Sequence, residues 1–102
     1  LQEWKENLQI SKQKLNTFSK NFLFEAQKAM EQDEYTKAKE FYEKSCNLNY
    51  DKGCNNLAIM YAEGKGVKED AEKAREIFTK SCNNGLKEAC ENLEILGKHW
   101  YP

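Results

Sequence analysis

The stretch KAKEFYEKSCNLNYDKGCNNLAI, residues 37–59, returns 36 positions later as KAREIFTKSCNNGLKEACENLEI, residues 73–95. When residues 37–61 are aligned with residues 73–97, eleven of the 25 positions are identical. A period in the mid-thirties is typical of helical repeat proteins, in which each unit packs only against its neighbours. The repeat therefore predicts an all-α protein: a short α-solenoid of antiparallel helix pairs.

The overall composition agrees with this fold class and excludes some functions. The 102 residues include one proline and five glycines, which leaves room for long helices. Charged residues make up 32% of the chain, yet the net charge is only -1, which argues against a protein that binds nucleic acid by neutralising phosphates. No apolar run approaches the roughly 20 residues of a membrane span. We expect neither a nucleic-acid partner nor a transmembrane segment.

Each unit of the repeat is predicted to contain two helices. In the second helix of the first unit, five apolar residues recur at helical spacing: Tyr35, Ala38, Phe41, Tyr42 and Cys46. Asp33 and Asp70 precede the second helix of their units and are predicted N-caps. Asn49 and Gly85 follow these helices at equivalent positions, and both residue types tolerate the left-handed conformation that ends a helix.

The segments YAEGKGVKED (61–70) and KAREIFTKSC (73–82) resemble Sel-one-like repeats, which are longer relatives of the tetratricopeptide repeat. The cysteine spacing is similar to that of the Helicobacter cysteine-rich protein family. The resemblance covers residues 22–97 and implies a division of the chain into three parts. These parts are an N-terminal amphipathic helix (1–20), about two and a half repeats (21–97) and a C-terminal tail (98–102).

The resemblance also implies that a disulfide links the end of one helix to the start of the next. Four cysteines allow three pairings. Locality and the repeat favour Cys46–Cys54 and Cys82–Cys90. Such bonds would place the protein in an oxidising compartment, periplasmic or secreted.

Other roles for the cysteines remain open at this point. Four buried free thiols are an alternative, because free cysteine packs as a small hydrophobe. A zinc site fits less well, since its ligand pairs usually lie two to four residues apart, and a redox catalyst usually has C-x-x-C. We expect no metal and no cofactor.

The resembled family also implies a possible enzymatic role, because its members have been described as penicillin-binding proteins or weak β-lactamases. Ser11 and Lys14 match S-x-x-K, the first element of such enzymes. The S-D-N and K-T-G elements that complete the site are absent from the sequence. We therefore predict no catalytic residue and a non-enzymatic module that binds another protein or a peptide.

By resemblance to tetratricopeptide units, the first helix of each pair lines a concave groove. The groove positions predicted to contact a partner are Gln27, Lys52, Asn55, Ile59 and Glu91. The same face of the three units also includes Lys20, Leu23, Glu31, Glu63, Glu88 and Ile95. Asparagine and lysine there are suited to a peptide backbone or a terminal carboxylate. An ordinary polar surface is the alternative.

A heptad-like apolar stripe occupies the N-terminal helix and includes Trp4, Leu8, Leu15 and Phe18. One interpretation is a cap on the first repeat, because the ends of solenoids need covering. The others are a surface that binds a partner helix, self-association with a second copy, and a weak membrane-surface role.

Overall fold

The computed structural model describes the backbone of residues 2–100 and the side chains of residues 13–98. Five helices and no strand occupy that backbone. Their bounds are α1 Gln2–Glu31, α2 Tyr35–Asn47, α3 Asp51–Glu63, α4 Ala71–Asn83 and α5 Lys87–Trp100. The predicted all-α fold is confirmed.

The helices form the antiparallel pairs of a short solenoid. Each helix packs against the next along the chain, and α3 also contacts α1 and α5. Each of the five helices contributes a fully buried alanine: Ala26, Ala38, Ala58, Ala74 and Ala89. Their small side chains let neighbouring helices approach closely, and larger residues such as Met60 and Phe78 fill the remaining core. This packing confirms the predicted solenoid architecture.

The helix ends follow the local sequence signals at three of the four predicted positions. Asn49 (φ 63°) and Gly85 (φ 103°) adopt the left-handed conformation, as predicted. Asp70 caps α4, where its carboxylate accepts a hydrogen bond of 3.0 Å from the backbone N–H of Lys73.

The predicted N-cap at Asp33 is wrong. Glu34 is the N-cap residue of α2, and its side chain makes no capping hydrogen bond. Asp33 instead has a φ of 60°, and its Oδ1 accepts a hydrogen bond of 2.9 Å from the Tyr35 hydroxyl. The short turn between α1 and α2 needs a left-handed residue, and aspartate tolerates that conformation. The turn therefore uses Asp33 one position before the cap.

The first helix is longer than predicted and is continuous across the expected boundary between residues 20 and 21. Leu15 and Phe18 are 49% and 53% exposed, so the interpretation of the stripe as a cap on the repeats is wrong for these two residues. Ser19 begins the buried face instead, because α2 has only 13 residues and runs antiparallel to α1. Trp4 and Leu8 lie outside the described side chains.

Candidate functional site

Two disulfide bonds close the junctions between successive helix pairs. Cys46 lies in the last turn of α2 and is bonded to Cys54 in the first turn of α3. Cys82 in α4 is bonded in the same way to Cys90 in α5. The Cα atoms are 4.4 Å and 4.7 Å apart in the two pairs. All four cysteines are paired, so the favoured pairing is confirmed and the free-thiol alternative is wrong.

The first junction is held by a buried contact among three helices. The hydroxyl of Ser45 in α2 donates a hydrogen bond of 3.0 Å to the carbonyl oxygen of Ser19 in α1. Gly53 in α3 packs against Ser45 so closely that a Cβ atom on Gly53 would lie 2.6 Å from the Ser45 Cβ. Glycine is therefore required for α3 to reach this position beside α2.

The first helices of the two C-terminal units are joined by a pair of amides. Asn92 in α5 donates a hydrogen bond of 3.0 Å from its Nδ2 to the Oδ1 of Asn55 in α3. Asn55 is 3% exposed, so the residue predicted to contact a partner lies in the floor between these helices. This bond fixes the spacing of α3 and α5, and each amide keeps further hydrogen-bonding capacity.

A cavity of about 420 Å³ opens between α3, α4 and α5, and we call it the α3–α5 cavity. The side chains of Ile59, Phe78, Ile95 and Leu96 form its apolar wall. Glu63 and Asn92 provide its polar groups. Ile95 is 54% exposed at this surface, whereas Phe78 is fully buried. Cavities of this size with an apolar lining and a few polar groups are typical of ligand sites.

The other predicted groove residues lie outside the lining of this cavity. Lys52 is exposed and belongs to a separate hollow of about 290 Å³ at the helix junctions, which includes Asp51 and Asn84. The side-chain amide of Asn84 donates a hydrogen bond of 3.1 Å to Asp51 there. Gln27 and Glu91 are both exposed. Of the five predicted partner-binding positions, the structure thus brings only Ile59 into the α3–α5 cavity.

The groups with clearly shifted pKa values do not line the cavity. A hydrogen bond to Asp33 raises the pKa of Tyr35, and a hydrogen bond to Glu43 raises that of Lys39. Burial raises the pKa of the Tyr42 hydroxyl. Shifted pKa values often mark catalytic groups, but these three residues lie in α2, and α2 does not contribute to the cavity.

The described residues contain no group of three or more His, Cys, Asp or Glu side chains that could hold a metal ion. None of the helices described is both long enough and apolar enough to span a membrane.

The sequence predicted several residues at the mouth of the cavity, but not the buried residues that form its wall. Ile59, Glu63 and Ile95 were predicted as groove positions, and all three line the cavity. Phe78 also forms part of the wall, although it was not among the predicted groove positions. The signal for the amide bond was the recurrence of asparagine at positions 56 and 92, but the partner of Asn92 is Asn55.

Comparison with known families and structures agrees with this architecture. The family model described as Sel1 repeat matches residues 22–50 and 51–86, which together form more than half of the chain. The boundary between the two matches falls at the start of α3. The first match therefore takes the C-terminal part of α1 with α2, and the second takes α3 with α4.

The related proteins come from Helicobacter pylori. The solved structure of its cysteine rich protein B is 37% identical, with a TM-score of 0.55, covering 58% of this chain and 44% of that chain. HcpC, whose printed name includes "beta-lactamase", is 38% identical over 41% of this chain and 14% of its own length. HcpD, similarly named, is 42% identical over 44% of this chain and 15% of its own length. The chain thus spans only a fraction of these relatives.

The disulfide spacing, the fold and the two family matches lead to the same assignment. The chain belongs to the Sel1 repeat family and is homologous to the Helicobacter cysteine-rich proteins.

Proposed function

We propose that this chain is a non-enzymatic module that binds a protein or peptide in the groove lined by α1, α3 and α5. The observation that carries the proposal is the α3–α5 cavity, where an exposed isoleucine borders a wall of buried apolar residues. In a solenoid, the first helices of successive units line the extended binding surface. Gln27, Lys52, Asn55, Ile59 and Glu91 are the proposed partner-binding positions.

The two disulfides support a location outside the reducing cytosol, either periplasmic or secreted. Disulfides persist in oxidising compartments, whereas cytosolic thiols are kept reduced. The bonds would also stabilise each unit, because single solenoid units are weakly stable alone. A scaffold stapled in this way would present its groove in the compartment where its partner is found.

Selection from a display library of random dodecapeptides, performed on the oxidised chain, tests the groove. We expect enriched peptides that bind the native chain and lose binding to the double variant Lys52→Glu, Ile59→Lys. The matched control is Glu72→Lys on the exposed side of α4, which should retain full binding. Peptides that bind all three proteins equally, or an absence of enrichment, would contradict groove binding.

The relatives whose names include "beta-lactamase" supply a second candidate function, a penicillin-binding or weak β-lactamase activity. Ser11 is the residue that would act as nucleophile, and it lies outside the described side chains. A steady-state nitrocefin assay distinguishes the two proposals. We expect no turnover, whereas hydrolysis that disappears in Ser11→Ala would support the enzyme instead.

The exposed stripe on α1 is a further candidate surface, either for a partner helix or for self-association. Leu15 and Phe18 provide the exposed apolar area that supports this proposal. Sedimentation velocity across a concentration series tests self-association. We expect any concentration-dependent dimer to be lost in Leu15→Lys, Phe18→Lys, and a monomer throughout the series would leave the partner helix as the role of the stripe.

A further inference from the structure

The α3–α5 cavity has a chemical character that identifies what it would accept. Ile59 and Ile95 occupy equivalent positions in successive units, and Phe78 and Leu96 lie between them as fully or nearly fully buried residues. The volume of about 420 Å³ exceeds that of a single large apolar side chain. Burying such a side chain here removes apolar surface from water on both partners. The cavity is therefore suited to an aliphatic or aromatic anchor.

The charges around the cavity are mainly acidic. Glu63 lies in the lining and follows Ile59 by four residues, which places both on one face of α3. Glu91 and Glu88 precede Ile95 by four and seven residues and share its face of α5. All three glutamates are exposed. A ligand that docks at the isoleucines therefore meets the carboxylate of Glu63, and a ligand that extends along α5 also meets those of Glu91 and Glu88.

The two lysines near the cavity, Lys65 and Lys98, do not neutralise all of its carboxylates. Lys98 is 3.6 Å from the carboxylate of Glu94, with which it forms an exposed pair. The ammonium of Lys65 lies 3.9 Å from the carboxylate of Glu63, which is a long distance for an ion pair. The same ammonium lies 5.5 Å from the ring centroid of Tyr35. The carboxylate of Glu63 has two oxygens and can accept hydrogen bonds from a second cation.

We propose that the α3–α5 cavity is the anchor pocket of the groove, and that it accepts a large apolar side chain from a peptide carrying lysine or arginine immediately beside it. This inference rests on the proposed function and adds the partner's chemistry. The apolar side chain packs between Ile59 and Ile95, and the adjacent cation pairs with Glu63. The amides of Asn55 and Asn92, joined between the same helices, keep the two isoleucines at the spacing that the anchor requires.

The test is an NMR titration of the ¹⁵N-labelled, oxidised chain with four matched hexapeptides at low salt. The parent probe is acetyl-Ser-Gly-Leu-Lys-Gly-Ser-amide, and the others replace leucine by serine, lysine by glutamine, or lysine by glutamate. We expect the parent to shift the amide signals of Ile59, Glu63 and Ile95. Serine in place of leucine should weaken binding at least about tenfold, because the buried apolar area is lost. Glutamine in place of lysine should weaken it by up to about fivefold, as for an exposed ion pair, and glutamate by more.

Protein variants separate the two parts of the pocket. Glu63→Gln should abolish the preference for lysine over glutamate and keep the preference for leucine over serine. Ile95→Lys, at a half-exposed site that tolerates the change, should abolish binding of the parent peptide. Glu72→Gln in α4 is the matched control and should bind all four peptides as the native chain does.

Three results would overturn the anchor pocket. They are equal affinity for the leucine and serine peptides, a lysine preference that survives Glu63→Gln, and the absence of shifts at the cavity. Shifts confined to Gln27 and Lys52 would overturn the pocket while leaving groove binding intact. The wider proposal of groove binding fails separately, when the dodecapeptide selection yields no peptide that depends on the groove.

Discussion

Gly53 determines how closely α3 approaches α2 at the first junction. A Cβ at this position would collide with Ser45, whose hydroxyl holds the carbonyl oxygen of Ser19. The disulfide at the next residue, Cys54, depends on the same approach. Because Gly53 has no side chain, the hydrogen bond between α1 and α2 and the disulfide between α2 and α3 can form at the same junction.

Replacement of Gly53 by alanine should therefore destabilise the fold. We expect Gly53→Ala to lower the free energy of unfolding by about 1–3 kcal/mol, the usual cost of overpacking a core. Gly97→Ala is the matched control, since among the described residues no atom outside its own helix backbone lies within 4 Å of a Cβ added there. That change should raise stability by about 0.5–1 kcal/mol, because alanine favours a helix interior over glycine. Urea denaturation of both variants measures the difference, and equal effects would argue against the contact with Ser45.

Tyr42 gives the protein a specific sensitivity to alkaline pH. Burial raises the pKa of its hydroxyl above the usual value near 10, because the ionised form loses solvation. Above about pH 10 the unfolded chain releases this proton while the folded chain retains it, so stability falls as pH rises. The melting temperature should drop more steeply between pH 9 and 11 in the native chain than in Tyr42→Phe. Parallel profiles would show that Tyr42 ionises alike in both states.

At the scale of single helices, the two aspartates that precede α2 and α4 have different roles. Asp70 accepts a hydrogen bond from the first turn of α4, whereas Asp33 occupies a left-handed turn. We expect Asp70→Ala to cost about 1 kcal/mol of stability through the lost cap. Asp33→Gly should be close to neutral, because glycine tolerates the positive φ, although the bond to Tyr35 is lost. Thermal denaturation compares the two variants, and similar losses would contradict the assignment of only one cap.

The elements that the sequence predicted well are those that the repeat duplicates. The ends of α2 and α4 at Asn47 and Asn83, and the left-handed residues that follow them, have the same signals at positions 36 residues apart. The disulfide pairing followed from the same duplication. Local chemistry specifies these features, so one chain is sufficient to predict them.

The features that the sequence did not predict depend on packing between distant residues. The apolar spacing of Leu15 and Phe18 suggested a buried face, but α2 ends before it can cover them. Asn55 was predicted as a groove position, but its burial and its bond to Asn92, 37 residues away, were not predicted. Periodicity defines which residues share a face, and only the tertiary fold determines what covers that face.

At the scale of the whole molecule, the disulfides add to the stability that packing between neighbouring helices provides. Each bond closes a short loop, for which chain entropy gives about 2.5 kcal/mol. The double variants Cys46→Ser, Cys54→Ser and Cys82→Ser, Cys90→Ser should each lose roughly this amount in urea denaturation. Losses that are small in both variants would mean that helix packing alone maintains the fold.

The same bonds connect the fold to its proposed compartment. The most direct measurement is the intact mass of the protein isolated from its natural source, after alkylation under denaturing, non-reducing conditions, followed by peptide mapping. We predict that no cysteine is alkylated and that linked peptides contain Cys46 with Cys54 and Cys82 with Cys90. Alkylation of all four cysteines would contradict both the stapled solenoid and the proposed location outside the cytosol.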